Sequence, residues 1–450
     1  MRRLKIATGI LIAWTVLSTH PSEKTSAQEA PQSPLPPTDS AQDSTPAGTP
    51  RAGQATPNTN PLPPLQNTPQ TRRPATAAPG SSSPDFLRGL QLADSGARRG
   101  RQSHQSLLAP AQFHGSFFGT SGLVTVRGND GSNGQLSADI PAAGGNARFN
   151  IADNNKGLPQ NRVFFDYRHF NNAIGSVVAS PGQPPLVRRQ NFDNFLLGVE
   201  KTLDKDELVS LEMRLPFSGN ADVHQPDYGV EGGELGNVPI TWKQALFLED
   251  SYSFVVGSTL ITPTGGDVTG QVLGNSFSVN NDAWHIAPFL GGMLNPQLAD
   301  SRDGFGLALL NRTTFQYFGS VDFGLNDQAV VVPGALPGGY REPTLMFLST
   351  AIVVNLFDQA DAKQLTRLDG SVELHYAKNI GGGSAFSTGP GLLFSQSRVT
   401  ELLNLTAGLS AEIRRNTRVQ VAAVAPLSAS NSLTHRAFDG ELIFSINRFY

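Results

Sequence analysis

Histidines and acidic residues at metal-binding or catalytic spacing would be the first sign of chemistry in this 450-residue chain, and the eight histidines show no such spacing. There is no His-Glu-x-x-His pair, and His104, His114, His169 and His375 read as single polar residues on linker or strand faces. Cysteine is absent, which excludes zinc–thiolate sites, a thiol nucleophile and any disulfide framework. The Gly-rich stretch Pro263–Gly270 lacks the Gly-Lys-Ser/Thr of a phosphate loop, and Gly381–Gly383 reads as a turn. Asn129, Asp130, Ser132 and Asn133 cluster oxygen ligands, but no acidic residue closes the loop as in an EF-hand, so a plain loop is expected. Nothing selects a Ser, His and acid trio at a barrel rim. The expectation is a protein with no catalytic residue, no metal and no cofactor.

What the charged residues do share is alternation. Val209, Leu211, Met213, Leu215 and Phe217 interleave with Ser210, Glu212 and Arg214. Leu368, Val372, Leu374 and Tyr376 interleave with Arg367, Asp369, Ser371, Glu373 and His375; Leu403, Leu405, Leu409 and Ile413 interleave with Asn404, Thr406, Ser410, Glu412 and Arg414. In a strand such sets lie on opposite faces, so each segment needs an apolar medium on one side and a wet space on the other. The polar faces carry both signs, as in a watery barrel lumen where each charge meets an opposite charge or solvent. Glu212, Arg214, Glu373, His375, Glu412 and Arg414 are therefore expected to line a lumen. A β-sandwich would show the same alternation, but it would have to bury every apolar face in one core across roughly 340 residues, more than a single core usually spans. Asp222, Asp227, Glu231 and Glu234 crowd the long loop after Phe217. At a pore mouth they would attract cations within a Debye length of about 8 Å, giving a modest cation preference; alternatively, that loop folds inward as a plug.

The elements that must position these residues read as short strands between Gly-rich punctuation. They cover 113–126, 147–152, 162–169, 192–202, 207–217, 239–248, 252–262, 284–290, 305–323, 344–357, 367–377, 389–395, 402–414, 418–425 and 435–450. The connections at 203–206, 249–251 and 415–417 are short, whereas 218–238 and 263–282 are long, which is the outer-membrane arrangement with short turns periplasmic. Seven strands fall between the turns at Glu249 and Arg415 where an even number is required. Segment 305–323, about twice the ~10 residues of a tilted spanning strand, is the expected misreading. The longest apolar stretch after the N-terminal region, Thr344–Phe357, is too short for a helical span. With no helical spans, only a closed barrel satisfies the backbone in lipid. The expected fold is all-β, a closed antiparallel transmembrane barrel of about 14 strands.

Both ends of the chain agree. Arg2, Arg3 and Lys5 precede the apolar run Ile6–Leu17 and the small-residue site Thr25-Ser26-Ala27, so residues 1–27 read as a signal peptide. Its removal takes away four basic residues and one acidic residue, moving the net charge from −3 to −6, which argues against nucleic-acid binding. Residues 28–84 hold 14 of the 32 prolines from Pro31 to Pro84, with no Phe, Tyr or Trp between Trp14 and Phe86, and read as a disordered linker. Residues 85–110 follow as a linker that takes in most of a short helix, Ser83–Ala93, and the barrel is expected over 111–450. At the other end, Phe438, Gly440, Leu442, Phe444 and Ile446 alternate with Asp439, Glu441, Ser445 and Asn447 up to the terminal Tyr450.

That last stretch resembles the C-terminal strand of bacterial outer-membrane barrels, departing from it at Arg448. The resemblance implies that Phe438, Leu442, Phe444, Ile446 and Tyr450 act as an assembly signal read by the outer-membrane assembly machinery. Trp242-Lys243, Phe254–Leu260 and Thr262-Pro263-Thr264-Gly265 resemble channel-like barrels of the phenol-degradation meta-pathway type. Arg148–Asn154 with Pro159–Tyr167 is similar to a block in planctomycete outer-membrane barrel proteins. These resemblances cover roughly residues 148–450 and imply a barrel of roughly 12 to 16 strands, an outer-membrane channel that passes or binds small solutes, hydrophobic ones among them. The expected partners are the lipid bilayer, the assembly machinery and small solutes. A porin-like or solute-transport channel is the expected function; a surface adhesin or structural barrel is the alternative, with a barrel hydrolase third.

Overall fold

The computed structural model describes residues 123–129, 135–141 and 150–450, apart from 180–182, 184, 220–221, 226–227, 233, 250, 297–308, 360–361, 389–391, 397–400 and 428–437. The signal peptide, the linker, the helix at Ser83–Ala93, the loop Asp130–Gly134 and Asp227 lie outside the described residues.

β1 (Leu123–Asn129) and β2 (Gln135–Pro141) form a hairpin, followed by β3 (Arg162–Ala179), β4 (Leu186–Thr202) and β5 (Val209–Gly219). β6 (Val223–Gln225) and β7 (Tyr228–Glu231) lie in the connection to β8 (Val238–Leu248) and β9 (Tyr252–Thr262). β10 (Val268–Val272) and β11 (Asn275–Val279) lead to β12 (His285–Leu294) and β13 (Thr313–Gly324). β14 (Gln328–Val331) and β15 (Gly338–Tyr340) lead to β16 (Thr344–Asp358) and β17 (Leu365–Gly381). β18 (Phe386–Ser387), β19 (Leu392–Gln396), β20 (Glu401–Ile413), β21 (Thr417–Pro426) and β22 (Gly440–Phe449) complete the chain.

Twelve antiparallel strands close into a barrel in the order β3-β4-β5-β8-β9-β12-β13-β16-β17-β20-β21-β22, and β22 returns to β3. The seam runs from Gly440 opposite Asn171 to Phe449 opposite Arg162, so the C-terminal strand is what closes the ring. The count sits at the lower end of the expected range. The surplus strand between Glu249 and Arg415 is 389–395, not 305–323. β13 is a single wall strand, whereas β19 leaves the wall and pairs with β1. The expected strand at 147–152 is also corrected, since residues 151–154 form a turn inside the barrel.

Outward residues are apolar. Val163, Leu197, Leu211, Met213, Leu290, Ile352, Val372, Leu409, Val421 and Leu442 are all exposed, with Trp284 and Phe323 toward the long-loop end and Phe247, Tyr252, Phe315 and Phe357 toward the short-turn end. This is the apolar band with aromatic borders that a bilayer requires. Inside, three phenylalanines lie across directly opposed glycines of the wall, Phe164 on Gly198, Phe289 on Gly257 and Phe318 on Gly291, and between β10 and β11 Phe277 does the same on Gly270. A Cβ at Gly198 would come within 2.1 Å of the Phe164 ring. Each pair covers backbone that a side chain would otherwise have to protect.

The long-loop end is capped. The loop strands β6, β7, β10, β11, β14 and β15 form a second, six-stranded sheet in the order β15-β14-β11-β10-β7-β6, while β18, β19, β1 and β2 branch off the top of β3. The buried faces of both, including Val230, Val272, Phe277, Leu136 and Phe394, join the upper inward residues Phe170, Phe347, Val424 and Ile443 in one apolar core.

Candidate functional site: the barrel lumen

The lower half of the lumen is polar because one face of each wall strand is. Along β3, Arg162, Asp166 and Arg168 point inward; β4 adds Glu200, β5 adds Glu212 and Arg214, and β8 adds Lys243, all buried. The Arg162 guanidinium meets both Glu200 and Glu212 at 2.9 Å. Lys243 Nζ meets Glu200 at 3.0 Å and Glu212 at 2.7 Å, and Arg214 also bonds Glu212. Phe164 lies between the two guanidinium groups, 4.3 Å from that of Arg162 and 5.3 Å from that of Arg214. Charges this deep persist because each has an opposite partner and hydrogen bonds.

Across the lumen, Arg367 bonds Asp369 at 2.8 Å, Arg418 bonds Glu412 at 2.8 Å, and His375 bonds Glu373 and Ser349 at 3.0 Å each. At the capped end, His285 Nδ1 lies 3.2 Å from Asp322.

A segment that is not part of the wall, residues 150–161, crosses the lumen as a strap and then becomes β3. Its acceptors face the cations: Asn154 O accepts from Arg162 at 2.7 Å, Asp153 O from Arg214 at 2.8 Å, and Asn155 Oδ1 from Lys243 at 3.1 Å. The Asp153 carboxylate lies 3.5 Å from Arg168, which also meets Glu441 at 3.3 Å. Asn150 donates to Ser349 and Asn154 to Asp166 from their side chains, and the Gln160 backbone N–H donates to Glu200. Ile151 and Ala152 pack on Val255, Phe289, Phe318 and Val353 from the opposite wall. Lys156 sits over the Phe449 ring at 5.5 Å. Asn155 Nδ2 and both side-chain amide atoms of Gln160 are buried with no hydrogen-bond partner among the described residues.

Of the residues expected to line the lumen, Glu212, Arg214, Glu373, His375 and Glu412 do so. Arg414 does not: it is exposed in the turn after β20, with a left-handed φ of 51° that takes it off the strand alternation. The lumen cation opposite Glu412 is Arg418 on β21. Arg162, Arg168, Glu200, Lys243 and Glu441 were not singled out from sequence. On β3 the inward set includes Phe164 and Phe170, so no clean polar stripe marks it. Asp222, Glu231 and Glu234 are exposed in the capped end, with Asp222 Oδ1 accepting from the Gly232 amide. Of the assembly-signal residues, Leu442, Phe444 and Ile446 lie on the outer face and Tyr450 just past the strand end. Phe438 lies before β22 begins, fully buried and edge-on to Phe170 at 5.6 Å. His169, outward on β3, is held by Asp193 at 2.7 Å.

The chain folds as a closed twelve-stranded antiparallel β-barrel with an apolar outer face. No family model matches it, and no curated protein matches it. Among solved structures it is similar to the NanC porin, at 7% identity and TM-score 0.35 over 64% of this chain and 99% of that one. An outer membrane channel from Pseudomonas putida F1 is similar at 10% identity and TM-score 0.39, over 66% and 97%. The outer membrane channel DcaP of Acinetobacter baumannii is similar at 7% and 0.28, over 71% and 81%. Likeness at this level carries nothing about function, which has to be argued from the barrel's own residues.

Proposed function

We propose that the protein is a non-enzymatic, porin-like channel for small solutes in the outer membrane, closed in this state by the strap at one end and the cap at the other. The observation that carries this reading is the strap itself. A lumen wall that bears charge of both signs is crossed by a segment that is not one of its strands, residues 150–161. The short turns then face the periplasm and the cap faces outward. Export by a signal peptide, insertion through the assembly machinery, a disordered linker over 28–84 and kinship with the phenol-degradation or planctomycete barrels belong to the same proposal. Asp222, Glu231 and Glu234, with Asp227, give the outer mouth a modest cation preference that fades as salt is raised.

The test is planar-bilayer conductance. The intact protein should conduct rarely. A variant with residues 150–160 replaced by a Gly/Ser linker and the β10–β11 hairpin removed should show stepwise conductance, and changing the four loop acids to Asn or Gln should weaken its cation preference. A folded double variant that never conducts overturns the channel reading. The second reading, a structural or adhesive barrel without transport, has its own observation in the apolar core of the cap, which seals the mouth by burial.

A further inference from the structure

We infer that the lower lumen is a peptide site, in which the strap stands where short, net-neutral, amide-rich peptides bind. The inference rests on the channel reading and names its substrate class. What the wall recognises in the strap is amide chemistry, taken from both directions. Its cations donate to amide oxygens: Arg214 to Asp153 O, Arg162 to Asn154 O and Lys243 to Asn155 Oδ1. Its acids accept from amide N–H groups, Asp166 from the Asn154 side chain at 2.8 Å and Glu200 from the Gln160 backbone at 3.1 Å. Asn447 of β22, itself an amide, donates to Asn154 Oδ1 at 2.9 Å. A carboxamide or peptide group carries an acceptor and a donor on one planar unit, so a wall of both signs holds each end of it by a charge-assisted bond.

Net charge gains little from the same wall, because its ionised groups answer one another. Arg162 and Lys243 each meet Glu200 and Glu212, and Arg214 meets Glu212. The Asp153 and Asp166 carboxylates act on Arg214 as well, and Asp166 on Arg162. A charged solute therefore meets its own sign beside the opposite one. The strap's own ionised side chains stand apart from the amide contacts, the Asp153 carboxylate 3.5 Å from Arg168 and Lys156 over the Phe449 ring. Ahead of the amides, Ile151 and Ala152 fill the apolar patch of Val255, Phe289, Phe318 and Val353. The favoured ligand is thus an apolar pair, one spacer residue and then two carboxamides.

The test supplies the strap sequence from outside. The protein carries a Gly/Ser linker in place of residues 150–160 and is held in detergent micelles. The probe is the N-acetylated, C-amidated peptide Asn-Ile-Ala-Asp-Asn-Asn-Lys-Gly, which is residues 150–157, bearing a neutral fluorophore. Fluorescence anisotropy should show saturable binding. Peptides with Leu, or with Asp, at the positions of both Asn154 and Asn155 should each bind at least about tenfold more weakly. No binding, or a Leu or Asp peptide that binds as tightly, overturns the inference. Should the replaced chain fail to fold, the full chain with Asn154→Ala decides: an excess of the peptide should raise its midpoint of heat-induced unfolding, the Asp peptide should not, and equal midpoints overturn the inference. Conductance of the variant lacking strap and hairpin separates the two readings. A variant that conducts but binds no peptide leaves the channel standing without this site, and a folded one that binds the peptide but never conducts overturns the channel and keeps the site.

Discussion

Gly198→Ala is the smallest change that should disturb the lumen, and its size follows from one contact. Gly198 lies directly opposite Phe164, and the new methyl carbon would sit 2.1 Å from the ring's Cζ and 2.5 Å from two further ring carbons. The ring has no free direction in which to yield, because Arg162 and Arg214 stack within 4.3 and 5.3 Å of it and are themselves fixed by Glu200 and Glu212. Overpacking of this kind costs about 1–3 kcal/mol, and a displaced, desolvated cation–π contact adds about 0.5–2 kcal/mol. A combined loss of about 2–4 kcal/mol is expected, or roughly 3–6 °C in the midpoint of heat-induced unfolding for a barrel of this length. Heat-modifiable gel mobility of the detergent-folded protein reads it. The same substitution in a Phe164→Leu background should cost less than about 1 kcal/mol, because the clashing ring is gone. Equal losses in both backgrounds would refute the reasoning and place the effect in the strand backbone rather than in the ring.

Three further changes follow. Deleting Phe449 and Tyr450 removes the last seam pair with Arg162, the Tyr450 amide bond to Asn161 and the Lys201–Tyr450 contact; cell fractionation should then find the chain in the periplasm or degraded, and normal outer-membrane levels would count against the assembly reading. Glu212→Leu removes the carboxylate that Arg162, Arg214 and Lys243 all meet and should cost about 3–5 kcal/mol in urea unfolding, whereas Asp222→Asn in the exposed loop should stay within about 0.5 kcal/mol. Phe277→Ala opens the cap core and should cost about 3–5 kcal/mol there, seen as protease cleavage of the loops while the barrel stays folded; loss of the whole barrel at the same protease dose would show that cap and wall unfold as one.

The wall was legible because its chemistry repeats every two residues. β5, β17 and β20 alternate without interruption, and Glu212, Glu373, His375 and Glu412 could be read as inward for that reason alone. Arg414 broke the rule because the strand ends at Ile413 and the turn begins with a left-handed residue. Phe438 broke it at the other end, where the chain has not yet entered β22 and follows the cap core instead. The parity argument exposed a surplus strand but chose the wrong one, since length alone cannot tell a strand in the wall from one in the branch, and β19 has wall-like composition. Lys243 and Arg162 were not singled out because their inward faces are not cleanly polar: Pro239 and Ala245 share the inward face with Lys243, and Phe164 shares it with Arg162.

The strap is hidden from sequence for a deeper reason. Asp153-Asn154-Asn155-Lys156-Gly157 has the composition of a solvated turn, and it is a turn, but one buried in protein rather than in water. A barrel of twelve strands is wider than its own side chains can fill, so its interior must hold either water or more protein. Here the two ends are filled in opposite ways. The cap is held by apolar burial, which is indifferent to small polar solutes. The strap is held by hydrogen bonds to charged groups together with the packing of Ile151 and Ala152 on the opposite wall, and its polar contacts are open to exchange with a better acceptor. If the lumen opens in response to a solute, the first movement is therefore at the strap, and the cap follows only when the wall beneath it changes.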